Sequence, residues 1–177
     1  VARGIGLDRR IGAKFLHPGP GFGGSCFPKD TRALFETSLA ADAPLQIVET
    51  VIEINEKRKK AMATRVINAC NGSLTNKRIA VLGLTFKPNT DDMRESPSLD
   101  ILSELIKRGA TIRAYDPEGM GEARRLLSDV EFCDSSYATL EEADALVLIT
   151  EWNPGAGSRP GEILDENTCN HRFTEYL

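Results

Sequence analysis

Arg78-Ile79-Ala80-Val81-Leu82-Gly83 is the stretch that decides how this chain folds. A short apolar run closed by glycine reads as a strand buried on both faces, the form that parallel sheets take. The residues after it keep one rhythm. Ser96-Pro97 offers an N-cap with proline at the first helical position, and Lys107-Arg108-Gly109 supplies a stop. Thr111–Tyr115 reads as the next strand, closed by Asp116-Pro117. A helix over 122–127, a weak strand over 130–133, a helical turn over 140–143 and a strand over 145–149 complete the series. Strands alternating with helices at this spacing predict a parallel α/β sheet, Rossmann-like in its pattern.

Upstream the texture differs. Residues 1–29 are rich in glycine and proline and predict loop, with a helical turn near 7–12. A helix is expected to open around Asp30, a good N-cap, and to run to about Ala40, where Asp42-Ala43-Pro44 breaks it. A longer helix follows over 44–71, with Leu45, Val48, Ile52 and Asn55 at helical spacing and Asn71-Gly72 as its stop. After Trp152 the pattern collapses into Asn153-Pro154-Gly155 and further turn formers. The expected organisation is a helical region over 1–72, an α/β unit over 73–152 and an irregular or divergent tail over 153–177.

Composition narrows the function classes. With 41% hydrophobic and 27% charged residues, the 177-residue chain has the make-up of an ordinary soluble globular protein. A net charge of −4 gives no electrostatic case for nucleic acid or an anionic membrane. The basic run Lys57-Arg58-Lys59-Lys60 reads as a solvated helix face. Cys26, Cys70, Cys133 and Cys169 are scattered without a CxxC pair, which excludes zinc spacing and argues against a disulfide framework. Without a signal-peptide pattern or a long apolar run, a cytoplasmic location is expected. The chain enters mid-pattern at Val1 without an initiator Met, as a piece of a longer protein would.

Two stretches have the residue types for chemistry. Gly21-Phe22-Gly23-Gly24-Ser25-Cys26-Phe27-Pro28-Lys29-Asp30 puts a thiol directly after a glycine-rich turn, with a lysine and an aspartate close behind. Glycine lets the backbone approach a ligand closely, and a thiol with charged neighbours is the make-up of a covalent catalyst. A lone cysteine is more often a small buried hydrophobe, so its setting must decide. The second stretch, from Gly83 to Ser96, joins the first strand of the α/β unit to its first helix, where open sheets bind ligands. Having only Gly83, it is not a standard dinucleotide loop. Lys87 and Arg94 suit anionic groups such as phosphates.

Together these stretches, with Arg10-Ile11-Gly12-Ala13-Lys14-Phe15-Leu16, Phe86-Lys87 and Arg94-Glu95-Ser96, resemble the nucleotide-sugar 6-dehydrogenases, specifically the UDP-glucose branch. The resemblance covers about residues 1–152. It implies a two-step, NAD-dependent oxidation of a sugar C6 alcohol to a carboxylate, with Cys26 as nucleophile and Asp30 assisting proton handling. It implies NAD contacts from Lys29 and Arg94. It also implies substrate contacts from Phe15, Leu16, His17, Pro18, Gly19, Gly23, Phe86 and Lys87, with Arg10 offered across a subunit interface. A UDP-sugar substrate and a homodimer formed through the long helix are the partners so implied.

The resemblance also implies parts that no segment here matches. These are an N-terminal NAD-binding domain, a helix-borne lysine and asparagine, a threonine and glutamate, and an arginine-containing segment after Trp152. The chain alone is therefore expected to turn over little substrate. Two other readings stay open: a non-catalytic nucleotide-sugar-binding or oligomerisation module, and a GDP-mannose 6-dehydrogenase. A cysteine hydrolase is disfavoured, because neither His17 nor His171 has motif support as its base.

Overall fold

The computed structural model of the chain describes residues 1–13 and 16–152. Ten elements follow in order: α1 (Ala2–Ile5), α2 (Phe27–Ala40), α3 (Gln46–Ala69), β1 (Arg78–Leu82), α4 (Pro97–Lys107), β2 (Thr111–Tyr115), α5 (Met120–Leu126), β3 (Val130–Phe132), α6 (Ser136–Leu140) and β4 (Ala145–Leu148). A helical region is thus followed by a parallel α/β unit, as the sequence pattern predicts. The expected tail over 153–177 lies outside the described residues, as does Phe15.

The four strands order as β3-β2-β1-β4 and pair in parallel throughout. Ile79 lies opposite Ile112 on one side and Ala145 on the other. From β1 the chain steps outward to β2 and β3, then crosses back to add β4 on the far side of β1. Connections that leave β1 in opposite directions open a crevice beyond the carboxyl ends of β1 and β4. The stretch 83–96 and the residues after β4 both emerge there.

Alternation along the strands explains their unbroken apolar character. Ile79, Val81, Ile112, Ala114, Ala145 and Val147 face a core shared with Ile101, Leu102 and Leu105 of α4. Ala80, Leu82 and Leu146 face the opposite side, where Leu140 and Ala143 cover them. The C-terminal half of α3 joins the first core through Met62, Ala63 and Val66, and Cys70 at its C-cap follows them. This seats the helical region directly on the α/β unit. At about 25 cal/mol per Å² of apolar surface buried, each such Leu or Ile contributes roughly 1.5–3 kcal/mol before chain entropy is counted.

Several boundaries differ from the sequence expectation. Helix α2 opens at Phe27, with Cys26 at the N-cap position and Pro28 inside the first turn, so Asp30 is not its cap. Proline needs no helical donor there, and Asp30 sits in the first turn, where the helix dipole favours a negative charge. The N-terminal helix is Ala2–Ile5 rather than 7–12. The turn expected over 140–143 is the earlier helix α6, whose cap is the Ser135 side chain accepting from Ala138 N at 3.1 Å.

Lys59 corrects the reading of the basic run as a solvated face. Its side chain is only 3% exposed, and its ammonium lies 2.9 Å from Asp100 on α4 and 3.1 Å from Glu56. Burial works against the charge, but the hydrogen bonds that the ammonium donates to Asp100 and Glu56 outweigh it and hold the ammonium above its ordinary range. Lys57 and Lys60 of the same run are exposed.

A group whose folded pKa is raised adds stability below its unfolded value, and that stability is lost as pH rises through the folded value. Lys59→Met is therefore expected to lower stability by about 1–3 kcal/mol at neutral pH, the partners being half-exposed carboxylates. The gap to wild type should hold up to about pH 10 and narrow above it. Urea unfolding of both chains across pH 6–12 reads this directly, and a gap that ignored pH would remove the electrostatic account.

Candidate active site

The glycine turn before α2 is fastened from two directions. On the helical side, the buried amide of Asn55 on α3 pairs with the backbone of Phe22: Phe22 N donates to Oδ1 at 2.8 Å and Nδ2 donates to Phe22 O at 3.1 Å. On the sheet side, Gly24 N donates to Arg94 O at 2.8 Å. The fit there is close enough to require glycine. A Cβ on Gly23 would lie 2.3 Å from the carbonyl oxygen of Glu95. Gly24 has φ +84, and a Cβ there would meet the Phe86 ring at 2.6 Å. Two stretches some seventy residues apart in sequence are thus interlocked, backbone on backbone.

Glu95 completes the lock. It takes a left-handed backbone, φ 52, and its carboxylate receives both Nη1 and Nη2 of Arg32 on α2, at 2.9 and 3.0 Å. The hydrogen bond from Arg32 holds the Glu95 carboxyl below the usual range, and Arg32 is raised in return. The helix whose N-cap position holds Cys26 is thereby tied to the loop after β1.

Cys26 sits at this junction and is exposed, whereas Cys70 and Cys133 are buried. Ser25 Oγ lies 3.7 Å from its sulfur. Arg94, itself exposed, spends Nε and Nη2 on Asp92 at 3.0 and 2.8 Å. Asp92 chiefly holds the guanidinium raised, and Cys26 is close enough to add to the effect. Phe86 packs on the glycine turn, and Lys87 reaches over it, its ammonium 5.2 Å from the ring centroid. Lys29 and Asp30 form an exposed pair at 3.2 Å, one turn into α2. The Asp30 carboxylate thus faces Lys29.

The structure therefore gathers Gly23, Cys26, Phe86 and Arg94 into one locus, with Lys87, Lys29 and Asp30 at its rim. It does not bring in Arg10, which lies exposed and paired with Asp8 at 2.6 Å. Leu16 is half-buried and His17 and Pro18 are exposed, while Gly19 accepts a hydrogen bond from Arg58 Nε and so hangs on α3.

Sequence reasoning missed Asn55, Arg32, Thr85 and Asp116. Asp116, at the end of β2, is fully buried. Its Oδ2 accepts from Leu84 N at 2.6 Å, Thr85 N at 3.2 Å and Trp152 Nε1 at 3.0 Å. Its Oδ1 accepts from Glu118 N at 3.0 Å and Gly119 N at 2.7 Å. Asn55 left one signal in the sequence, a polar residue at an apolar helical position.

Comparison with known proteins covers both halves of the chain. Residues 1–57 match the central domain of the UDP-glucose/GDP-mannose dehydrogenase family, and residues 80–162 match that family's UDP binding domain. A UDP-glucose 6-dehydrogenase of Rhizobium meliloti is 56% identical over 153 residues, which is 86% of this chain and 35% of that protein. The Bacillus subtilis UDP-glucose 6-dehydrogenase TuaD is 47% identical over 153 residues, 86% of this chain and 33% of its own length. The chain thus spans about a third of the length of the curated relatives it matches. Among solved structures, a UDP-glucose dehydrogenase from Pyrobaculum islandicum superposes with a TM-score of 0.77 at 37% identity, covering 85% of this chain and 35% of that one. A GDP-mannose dehydrogenase of Pseudomonas aeruginosa, solved as a ternary complex, gives 0.66 at 25% identity over 81% of this chain and 34% of that one.

The interlock predicts an order of damage. Gly23→Ala meets a backbone carbonyl that cannot swing aside and is expected to lower stability by about 2–4 kcal/mol. Gly24→Ala meets a side-chain ring that can move, leaving mainly the left-handed backbone penalty of about 1 kcal/mol. Urea midpoints of the two variants check this, and equal effects would speak against a backbone collision at Gly23.

Proposed function

The chain belongs to the UDP-glucose/GDP-mannose dehydrogenase family, and from that membership we propose that it carries the central and nucleotide-sugar-binding parts of an NAD-dependent UDP-glucose 6-dehydrogenase. On this reading residues 1–72 hold the catalytic turn and the dimer helix, and 73–152 hold the nucleotide sugar. The observation that supports it is the interlock that keeps exposed Cys26 beside Arg94, on a loop that also bears Lys87.

The proposed chemistry follows from what a thiol can do. Oxidation of the C6 alcohol yields an aldehyde, a poor hydride donor. Addition of the Cys26 sulfur to its carbonyl carbon forms a C–S bond and a thiohemiacetal, which can give up a second hydride. Loss of that hydride, with the hydroxyl proton, leaves a thioester on Cys26. Water then attacks the thioester, the C–S bond breaks, and the carboxylate and free thiol are released. NAD, when bound, would supply the hydride acceptor, a separate molecule for each of the two oxidations.

From this chain NAD would be met by Lys29 and Arg94, whose exposed cationic groups suit its anionic diphosphate. The turn after β1 does not suit a dinucleotide. A Cβ on its Gly83 would lie 2.4 Å from Thr150 O, so the space is already filled by protein. Asp30 is assigned the proton management around the attacking water. Lys87 and Phe86 hold the UDP-sugar, with Gly23 and the stretch containing Phe15, Leu16, His17, Pro18 and Gly19 closing over it. Arg10, exposed, is offered to a partner subunit's substrate. A homodimer through α3 has support in the exposed Ile47, Val51 and Ile54, which lie along one side of that helix. No helix among the described residues is long and apolar enough to cross a membrane.

The decisive experiment is Cys26→Ser in the full-length protein. It is expected to abolish UDP-glucuronate release while UDP-glucose still binds, and release at the wild-type rate would defeat the assignment of the nucleophile. Calorimetry of the chain itself tests the binding half. UDP should bind in preference to GDP, and Lys87→Ala should weaken UDP about tenfold or more, as loss of a charged hydrogen bond of about 1.5–3 kcal/mol implies.

A further inference from the structure

We infer that Thr85 is a positioning residue whose hydroxyl sets where Lys87 stands, an inference that rests on the reading of Lys87 as a nucleotide-binding group. Thr85 is 1% exposed and lies between the end of β1 and the Phe86-Lys87 pair. Each of its polar groups is engaged. Its N donates to Asp116 Oδ2 at 3.2 Å, and its carbonyl accepts from the Thr150 hydroxyl after β4. Its own hydroxyl has one proton and two acceptors within reach, Lys87 O at 3.0 Å and Asp116 Oδ2 at 3.4 Å. The shorter contact, to Lys87, takes the proton.

The rotamer that makes this contact is not free to change. The methyl of Thr85 packs on Gly119, so closely that a Cβ there would lie 2.5 Å from it. With the methyl wedged and the backbone held by the β2 and β4 ends, the hydroxyl is a fixed post. The carbonyl of Lys87, two residues on, is tied to that post. Phe86 N is tied separately, to Asp92 O at 3.2 Å. Between these two ties Phe86 is turned onto the glycine turn, and the Lys87 ammonium stands over its ring. Lys87 is exposed, so where its charge can reach depends on its backbone. Only buried Thr85 joins that backbone to the Asp116 network by a side-chain hydrogen bond among the described residues.

Thr85→Val keeps the shape and removes the hydroxyl, and Thr85→Ser keeps the hydroxyl and removes the methyl. Titration calorimetry of the 177-residue chain with UDP is expected to show Thr85→Val weakened by about three- to tenfold, as loss of one buried hydrogen bond allows. Thr85→Ser should stay within about twofold of wild type. Uridine, which has no phosphate for Lys87 to meet, should bind wild type and Thr85→Val alike. In a Lys87→Ala background, Thr85→Val should cost nothing further. Thr85→Ala serves as the second hydroxyl-free variant should the valine chain not give a cooperative urea transition. If wild type does not bind UDP, or Lys87→Ala binds it as well as wild type, the functional reading fails and this inference goes with it. If Lys87→Ala weakens UDP but Thr85→Val does not, or if uridine weakens in parallel, or if the loss persists without Lys87, then the positioning role alone is overturned.

Discussion

The carboxylate of Asp116 holds together the end of the molecule where the chemistry is proposed. Three parallel strands deliver their chain there; the loops after β1 and β2 bring backbone donors to the buried carboxylate, and the segment after β4 brings the Trp152 indole N–H. Unpaired, such groups cost about 1–3 kcal/mol each. Asp116 accepts from the loop after β1 through Leu84 and Thr85, from the loop after its own strand through Glu118 and Gly119, and from Trp152 beyond β4. An aspartate suits the place because its two oxygens only accept. One side chain thereby fixes the departure of three loops, and everything further out inherits its position.

From that anchor, order spreads outward in steps that weaken with exposure. Thr85 and Thr150 are buried and carry the arrangement into the loop after β1. Ser96 and Ser98, also buried, both donate to Leu84 O and return the loop to α4. The glycine turn then docks on this loop by one backbone hydrogen bond, Gly24 N to Arg94 O, and by close contact where the missing Cβ atoms let two backbones meet. The outermost tie, Arg32 to Glu95, is partly exposed and relies on its two-pronged geometry. Cys26 stands at the end of this series. Its exposure and its fixed surroundings have one origin, a helix start pinned from below and left open above.

Legibility from sequence follows the same gradient. The strands are legible almost to the residue because burial on both faces writes an unbroken apolar run, and β2 is Thr111–Tyr115 in pattern and in structure alike. Helix α4 was equally plain, since Ser96 caps it and Pro97 starts it. Reading failed where tertiary contact overrides a local signal. Asp30 has the chemistry of a cap, yet the helix starts at Phe27 because the docked glycine turn sets where the chain can begin to coil. Lys59 carries the signature of a solvated face, yet α4 lies over it and supplies Asp100. The helical turn expected over 140–143 forms earlier as α6, where the Ser135 side chain caps the chain by accepting from Ala138 N.

The amino-acid sequence by itself determined the alternation of strands and helices, and so the parallel sheet, because side-chain periodicity and capping are local properties. It also set out the two motif stretches whose resemblance points to a nucleotide-sugar dehydrogenase. That these stretches meet was for the tertiary structure to decide. Nothing within Gly21–Asp30 specifies that Gly23 faces Glu95, and nothing around Tyr115-Asp116 specifies that this aspartate gathers donors from three loops. Such pairings join residues far apart in sequence, and their partners exist only once the sheet has brought the strand ends side by side.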